Sequence, residues 1–209
     1  MNTIGWALLF ALMAAPGRVI TFDRDPLGKA PQGWSVVAVD GVAGPQWEVR
    51  RDQTAPTQPY VLARVSADAG ADRSAMTILN SVSLRDGDVS VRVKPVGGNR
   101  MRAGGVVFRY RDENNYYLAR ADALEQTVAL FKVENGRSSP VGQAVKHDLP
   151  PNAWRILKVS ARGSSLQVYL DHRLVLQGKD GAFTGSGKVG LWTAGDSVTY
   201  FDDFRVYPK

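Results

Sequence analysis

The sequence contains no cysteine and only two histidines among its 209 residues. The lack of cysteine excludes disulfide bonds, thiol catalysis, iron–sulfur clusters and thiolate zinc sites. His147 and His172 lie far apart and lack the spacing of paired metal ligands, so a histidine-based transition-metal site is not expected. The chain must therefore be held together by its hydrophobic core, and a chain of this size can bury roughly 70% of its unfolded surface.

Long runs of one charge are also absent. The 26 Lys and Arg residues are interspersed with 20 Asp and Glu residues, although the net charge is +6 and the isoelectric point is near 9.7. No run of five or more basic residues occurs. This distribution is typical of a soluble surface, and we expect no nucleic acid as a partner.

The N-terminus carries an uncharged apolar run. "IGWALLFALMAA", residues 4–15, has the length of the apolar region of a secretory signal peptide and is too short to span a membrane. We therefore predict a signal peptide over residues 1–15 and one exported domain, periplasmic or extracellular, over residues 16–209. The preceding "MNT" has no Lys or Arg, so a buried strand, a misassigned start and an uncleaved tether remain alternatives.

The rest of the chain consists of short apolar runs separated by turn residues. Twelve such runs follow one another, too many for a parallel sheet with helices between its strands. In "VSVRVKP", residues 89–95, valines alternate with polar residues, as in a strand with one buried face. Asn135-Gly136 and Asp171-His172 are hairpin signals. The pattern predicts an all-β fold, a jelly-roll sandwich of two antiparallel sheets.

One segment also has the features of a helix. In "DALEQTVALFKV", residues 122–133, Leu124, Val128 and Phe131 fall at helical spacing. Residues 127–133 are nevertheless rich in β-formers and run directly into a hairpin signal. We predict a loop that enters a strand.

Four stretches of the chain carry a family resemblance: "FDRDPLGKAPQGW", "GGVVFRYRDENNYYLARADALEQTVALFKVENGR", "AWRILKVSARGSSLQVYLDHRLVL" and "GKVGLWTAGDSVTYFDDFRV". They resemble the concanavalin A-like lectin/glucanase superfamily. Within it they are most similar to LamG-like domains related to the 3-keto-disaccharide hydrolases, also called family 16 glycoside hydrolase-like domains. The resemblance implies a β-sandwich with a concave sheet across which a glycan lies. Because the superfamily contains enzymes, lectins and adhesion modules, the resemblance indicates fold more than function.

Aromatic and basic residues in two neighbouring strands are candidates for sugar binding, because a sugar ring stacks on aromatic faces and its hydroxyls need polar partners. In "VVFRYR", Phe108 marks the core face, so Arg109 is predicted to point outward. Whether Tyr116 or Tyr117 points outward depends on the turn register. An ordinary solvated hairpin is the alternative. The predicted binding residues are Arg109, Arg111, Tyr116, Tyr117, Arg120 and Trp192.

Trp34, Trp47, Trp154 and Trp192 lie in or beside apolar runs, and tryptophans in such places are expected in the core. Trp34, after "APQG", resembles a family position at which Trp closes the N-terminal loop onto the core.

Catalytic residues are harder to find. The sequence lacks the Glu-x-Asp-x-x-Glu motif of family 16 glycoside hydrolases and has only four Glu, whereas a glycosidase needs two facing carboxylates. Catalytic residues therefore stay unassigned.

Acidic residues at the two ends of the chain suggest a cation site. Asp23 and the pair Asp202-Asp203 meet if the terminal strands pair, and their carboxylates suit Ca²⁺. Similar domains place a structural calcium there. The alternative is that these residues cap a loop or pair with Arg205 or Arg24.

The sequence therefore predicts an exported, monomeric module that binds an oligo- or polysaccharide without cleaving it. No organic cofactor is expected, and the mature chain is expected to have no membrane span. The alternatives are a glycoside hydrolase or lyase of the same fold that acts on a 3-keto disaccharide or polysaccharide, and a structural or protein-interaction module.

Overall fold

The structure, a computed structural model, describes residues 17–38, 47–65 and 74–209. The predicted signal peptide, residues 1–15, lies outside the described residues. Within the described ranges, no helix is long and apolar enough to cross a membrane. The strands are β1 (Arg18–Ile20), β2 (Trp34–Ala38), β3 (Trp47–Arg51), β4 (Tyr60–Arg64), β5 (Ser74–Leu84), β6 (Gly87–Gly97), β7 (Ala103–Asp112), β8 (Asn115–Asp122), β9 (Thr127–Glu134), β10 (Arg137–Pro140), β11 (Val145–Lys146), β12 (Arg155–Arg162), β13 (Ser165–Leu170), β14 (Arg173–Lys179), β15 (Gly187–Ala194) and β16 (Val198–Pro208).

These strands form two antiparallel sheets. Sheet A has the order β14-β13-β12-β6-β16-β4-β3, and β1 pairs with β16. Sheet B has the order β10-β9-β8-β7-β15-β5-β2, and β11 pairs with β9. The two sheets pack face to face, which confirms the predicted all-β jelly-roll sandwich.

The main core lies between the two sheets. Val91 of β6 and Leu191 of β15 point into it from opposite sides. Trp34 packs there against Phe22 and Phe204, with ring centroids 5.8 and 5.2 Å apart. This packing confirms that Trp34 closes the N-terminal loop onto the core. Burying one large apolar side chain contributes roughly 1.5–3 kcal/mol, so this core stabilises a chain that has no cysteine for disulfide bonds.

Hairpin turns follow the local chemistry of the sequence. Asn135 and Gly136 join β9 to β10 with φ of 50° and 76°, and Asp171 and His172 join β13 to β14 with φ of 46° and 69°. Two consecutive positive φ angles match the right-handed twist of the flanking strands. The predicted hairpins are confirmed at both positions.

The segment at residues 122–133 is a turn followed by a strand. The Asp122 carboxylate accepts hydrogen bonds from the backbone N–H groups of Leu124 (3.0 Å) and Glu125 (3.2 Å). This side chain caps a tight turn, and β9 begins at Thr127. The prediction of a loop that enters a strand is confirmed.

Candidate functional site

Sheet B carries apolar side chains on both of its faces. Along β15, Val189 and Leu191 join the main core, whereas Trp192 and Ala194 join a separate cluster on the outer face. An apolar cluster on an outer face, rimmed by polar side chains, is typical of a binding site. The outer cluster consists of Met76, Ile78, Ala103, Val107, Tyr116, Leu118, Val133, Trp192 and Ala194.

A groove of about 350 Å³ lies over this cluster. We call it the sheet B groove. Its volume is within the range of small-ligand sites, which are mostly apolar with a few placed polar groups. Its apolar wall is formed by Tyr116, Leu118, Phe131, Val133 and Trp192, and its polar rim by Ser74, Glu113, Asn114, Arg120 and Ser138.

Trp192 forms part of the groove wall. It lies in β15 between Met76 of β5 and Gly105 of β7, and it is 5% exposed. Its indole Nε1 has no hydrogen-bond partner among the described residues. Since a buried indole N–H normally has a partner, an acceptor brought by a ligand or a water molecule would satisfy this donor.

Arg120 supplies a planar cation at the rim. Its guanidinium lies 5.0 Å from the ring centroid of Phe131 and 3.5 Å from a carboxylate oxygen of Glu125. Its Nε also lacks a partner among the described residues. The stacked guanidinium is therefore held in place at the rim, where its five N–H groups exceed what the single contact with Glu125 uses.

Tyr116 is neutral at physiological pH. Burial raises the pKa of its phenol to about 12, although a hydrogen bond with Ser74 opposes the shift. The ring of Tyr110 lies beside it, with centroids 6.2 Å apart. The Tyr116 hydroxyl is therefore an uncharged hydrogen-bonding group beside a stacking surface.

Arg109 is not exposed, and the prediction that it points outward is wrong. Its φ of 49° and the register shift in β7 mark a β-bulge, which breaks the alternation of faces. The side chain turns inward and is 1% exposed. Its guanidinium donates to the carbonyls of Arg85 (3.0 Å), Gly163 (2.8 Å) and Phe183 (2.7 Å), and it pairs with Asp86.

Two more of the predicted residues lie away from the groove. Tyr117 is in the main core, stacked on Phe108 at 5.3 Å, and its hydroxyl donates to Asp180 at 2.5 Å. Arg111 is exposed, with its guanidinium 4.7 Å from the ring of Phe183. The structure thus brings Tyr116, Arg120 and Trp192 together and separates the other three.

Sequence reasoning missed several groove residues. Three of them are apolar, as core residues are: Leu118, Phe131 and Val133. Only the alternation of faces in β8 and β9 distinguishes these residues from their inward-pointing neighbours. Glu113 and Asn114 lie in the hairpin turn between β7 and β8. They line the same groove as Trp192, although the pairing of β7 with β15 places Gly105, and not this turn, beside Trp192.

The groove has few groups for acid–base catalysis. Among the described residues that line it, Glu113 is the only carboxylate. Glycoside hydrolysis needs a second carboxylate across the scissile bond. The lining therefore favours binding over cleavage.

The acidic residues predicted to hold calcium do lie near one another. Asp202 accepts hydrogen bonds from the backbone N–H groups of Thr57 and Asp203. Asp203 accepts from the Thr57 hydroxyl and pairs with Arg92 and Arg205. The pairing with Arg205 is the predicted alternative, and Arg92 supplies a second positive charge.

The carboxylate of Asp23 also has a hydrogen-bond partner, since one of its oxygens accepts from the backbone N–H of Tyr60. In the part of the chain that the structure describes, no group of three or more His, Asp or Glu side chains is placed to hold a metal ion. A calcium ion at these residues stays a prediction.

Chelation should lower the melting temperature of the wild type but not of Asp203→Ala, and equal responses would contradict a metal here.

Asp202 makes stability depend on pH. Burial, with Asp203 and Asp23 nearby, raises its pKa to about 7, above the usual 3.8. Between these values the folded state binds more protons at Asp202 than the unfolded state, so the contribution of Asp202 to stability is fully present below about pH 3.8 and is lost as the pH rises through about 7. With a chelator present to exclude any effect of a metal ion, we expect the melting temperature of the wild type to be a few degrees higher at pH 5 than at pH 8. A matching rise in Asp202→Asn would contradict this assignment.

No protein-family model matches the chain. The curated levanase of Bacillus subtilis (strain 168) is 37% identical over 120 residues, which is 56% of this chain and 17% of levanase. The chain thus spans about a sixth of that relative.

Solved structures give broader coverage. The carbohydrate binding module CBM66 from Bacillus subtilis is 27% identical, with a TM-score of 0.65 over 83% of this chain and 94% of that one. Domain 4 of AbnA, a GH43 extracellular arabinanase from Geobacillus stearothermophilus, solved with arabinotriose, is 16% identical, with a TM-score of 0.60 and coverages of 92% and 93%. Bacillus licheniformis β-glucanase is 12% identical, with a TM-score of 0.58 and coverages of 88% and 96%.

The last two likenesses concern the fold alone. Together with CBM66, they show that this chain has the concanavalin A-like β-sandwich fold, as the sequence predicts. The closer likeness to 3-keto-disaccharide hydrolase-related domains stays a prediction.

Proposed function

We propose that this protein is a carbohydrate-binding module that holds an oligosaccharide, without cleaving it, in the sheet B groove. The observation that carries the proposal is a groove in which the aromatic side chains of Tyr116 and Trp192 form one wall and the Arg120 guanidinium lies at the rim. The likeness to CBM66 over most of both chains supports the same function.

The chemistry of the groove suits a sugar. The C–H face of a pyranose or furanose ring stacks on Trp192 or Tyr116, and its hydroxyls accept from Arg120 and donate to Glu113. Such a contact needs no charge on the ligand. A neutral oligosaccharide therefore suffices to occupy this part of the site.

A levan-type fructan is the first ligand to test, because the curated sequence relative is a levanase. The match covers a small part of that enzyme, so its activity is not carried over. The single carboxylate among the described groove residues also supports binding without hydrolysis.

The place of action that we propose is outside the cytoplasm. The predicted signal peptide supports export, and polymeric glycans are met outside the cell membrane. Detection of the mature chain in the periplasm or medium, after processing near Ala15, would test this.

The binding proposal is tested by isothermal titration with levan, arabinan and β-glucan oligosaccharides, followed by product analysis. Arg120→Gln should weaken binding by roughly 10- to 100-fold, because it removes hydrogen bonds from a charged donor. Arg173→Gln is the matched control, since Arg173 is an exposed arginine in β14 of sheet A.

Equal affinities for wild type and Arg120→Gln would place the site elsewhere. Product release by the wild type would replace binding with hydrolysis. No binding to any glycan would favour a structural or protein-interaction module.

A further inference from the structure

A second pocket, of about 450 Å³, opens on the outer face of sheet B. We call it the basic pocket; residues 80–83, 110, 111 and 186–188 line it. The lining contains two cations, Arg111 and Lys188, several serine hydroxyls and no carboxylate. Its composition therefore differs from that of the sheet B groove, which has an aromatic and apolar wall and a carboxylate on its rim.

Irregular pairing on both sides of β15 creates this pocket. Lys188 pairs with Ser83 of β5 and with Tyr110 of β7. The register then shifts on both sides, because Val189 pairs with Leu79 of β5 and Gly190 pairs with Val107 of β7. Such bulges interrupt the ladder and redirect side chains, and they are common beside functional sites. Lys188 lines the pocket and lies beside irregularities in the pairing with both neighbouring strands.

The two cations that line the basic pocket are unpaired among the described residues. Lys188 and Arg111 are exposed, and neither forms an ion pair there. A third cation, Arg18, donates from Nη1 to the Ser81 hydroxyl at 2.6 Å. Arg111 is held by stacking on Phe183, at 4.7 Å. The pocket therefore offers positive charge to an anionic ligand.

The basic pocket and the sheet B groove lie on one face. Lys188 and Trp192 are four residues apart in β15 and point to the same side, so their Cα atoms are separated by roughly 13 Å. Tyr110 lines the basic pocket and Tyr116 lines the groove, with ring centroids 6.2 Å apart. A single extended oligosaccharide along β15 can therefore contact both.

We propose that the basic pocket binds a carboxylate or sulfate group of an oligosaccharide whose neutral part occupies the sheet B groove, so that the preferred ligand is an acidic glycan. This rests on the proposed function and names its ligand class. Charge-assisted hydrogen bonds from Arg111 and Lys188, with the serine hydroxyls, provide the recognition. Because both cations are exposed, added salt weakens it.

The test compares an oligogalacturonide with the same oligosaccharide after its carboxyl groups are reduced. By titration at low salt, the wild type should bind the acidic form about tenfold more tightly, the gain of one charged hydrogen bond. The double variant Arg111→Gln/Lys188→Gln should lose this preference and keep its affinity for the reduced form. Arg173→Gln/Lys179→Gln, which removes two exposed charges from sheet A, is the matched control.

A second measurement does not depend on the groove. A few millimolar sulfate, compared with chloride at equal ionic strength, should raise the melting temperature of the wild type more than that of the double variant. A sulfated oligosaccharide distinguishes a sulfate preference from a carboxylate preference.

The outcomes separate the two proposals. If the wild type binds both forms equally and Trp192 is needed for both, the basic pocket has no anion role and the proposed function stands. If sulfate stabilises only proteins with an intact pocket but no glycan binds, the anion site stands and the proposed function falls. Equal sulfate effects together with equal affinities overturn the anion site.

Discussion

Replacement of Trp192 by alanine should reduce glycan affinity by roughly 30- to 1000-fold. Large aromatic side chains at the centre of a site commonly account for about 2–4 kcal/mol of binding free energy. Trp192 offers both a stacking surface and an indole N–H without a partner among the described residues. The change is measured by titration of the oligosaccharide that binds the wild type most tightly.

Trp192→Ala also removes packing from the outer cluster, so loss of binding must be separated from loss of folding. Trp192→Phe keeps most of the ring volume and removes the N–H, and we expect it to fold and to bind with intermediate affinity. Trp154→Ala is the matched control, because this half-buried tryptophan lies beside Lys94 of sheet A. Unchanged affinity in a folded Trp192→Ala protein would refute the sheet B groove as the site.

Arg109→Met should lower the free energy of unfolding by about 3–5 kcal/mol. The guanidinium joins the carbonyls of Arg85, Gly163 and Phe183 and the carboxylate of Asp86. Its removal leaves one buried acceptor, the Phe183 carbonyl, and three part-buried acceptors without their donor, which is costly even though methionine fills much of the volume. For a chain of this size we expect the melting temperature to fall by roughly 10 °C.

Arg111→Met is the control for that experiment. It lies two residues further along β7, is exposed and forms no ion pair within the described residues, so its loss should cost less than about 1 kcal/mol. Glycan affinity of Arg109→Met, measured well below its melting temperature, should equal that of the wild type. A stable Arg109→Met protein that has lost binding would return Arg109 to the site.

Sequence reasoning succeeded where one local pattern decides the structure. Alternation of valine and polar residues across residues 89–95 placed Val91 in the core, and the Asn135-Gly136 dipeptide marked a hairpin. Both depend on preferences that act over a few residues. Trp34 was assigned to the core correctly. The family position that it resembles is a buried one, and tryptophan is generally buried.

The same reasoning failed at Arg109 because alternation holds only in a regular ladder. The bulge in β7 turns Arg109 inward, between two loops that are distant in sequence. Tyr116 and Tyr117 are the same residue type in the same strand. Only the register of β8 with β7 decides which of them lies on the outer face and which in the core. Half of the predicted binding residues were therefore placed away from the groove.

The sequence by itself determined the all-β class, most of the strand positions and the dependence on a core without disulfides, since these follow from composition and short-range periodicity. Tertiary structure alone decided which face of sheet B carries the second apolar cluster, and it brought Glu113, Arg120 and Trp192 to one groove. It also brought Lys188 and Arg111 to one pocket, beside irregular pairing on both sides of β15. The reason is that register and bulges are settled by pairing between strands far apart in the chain, which no local pattern encodes.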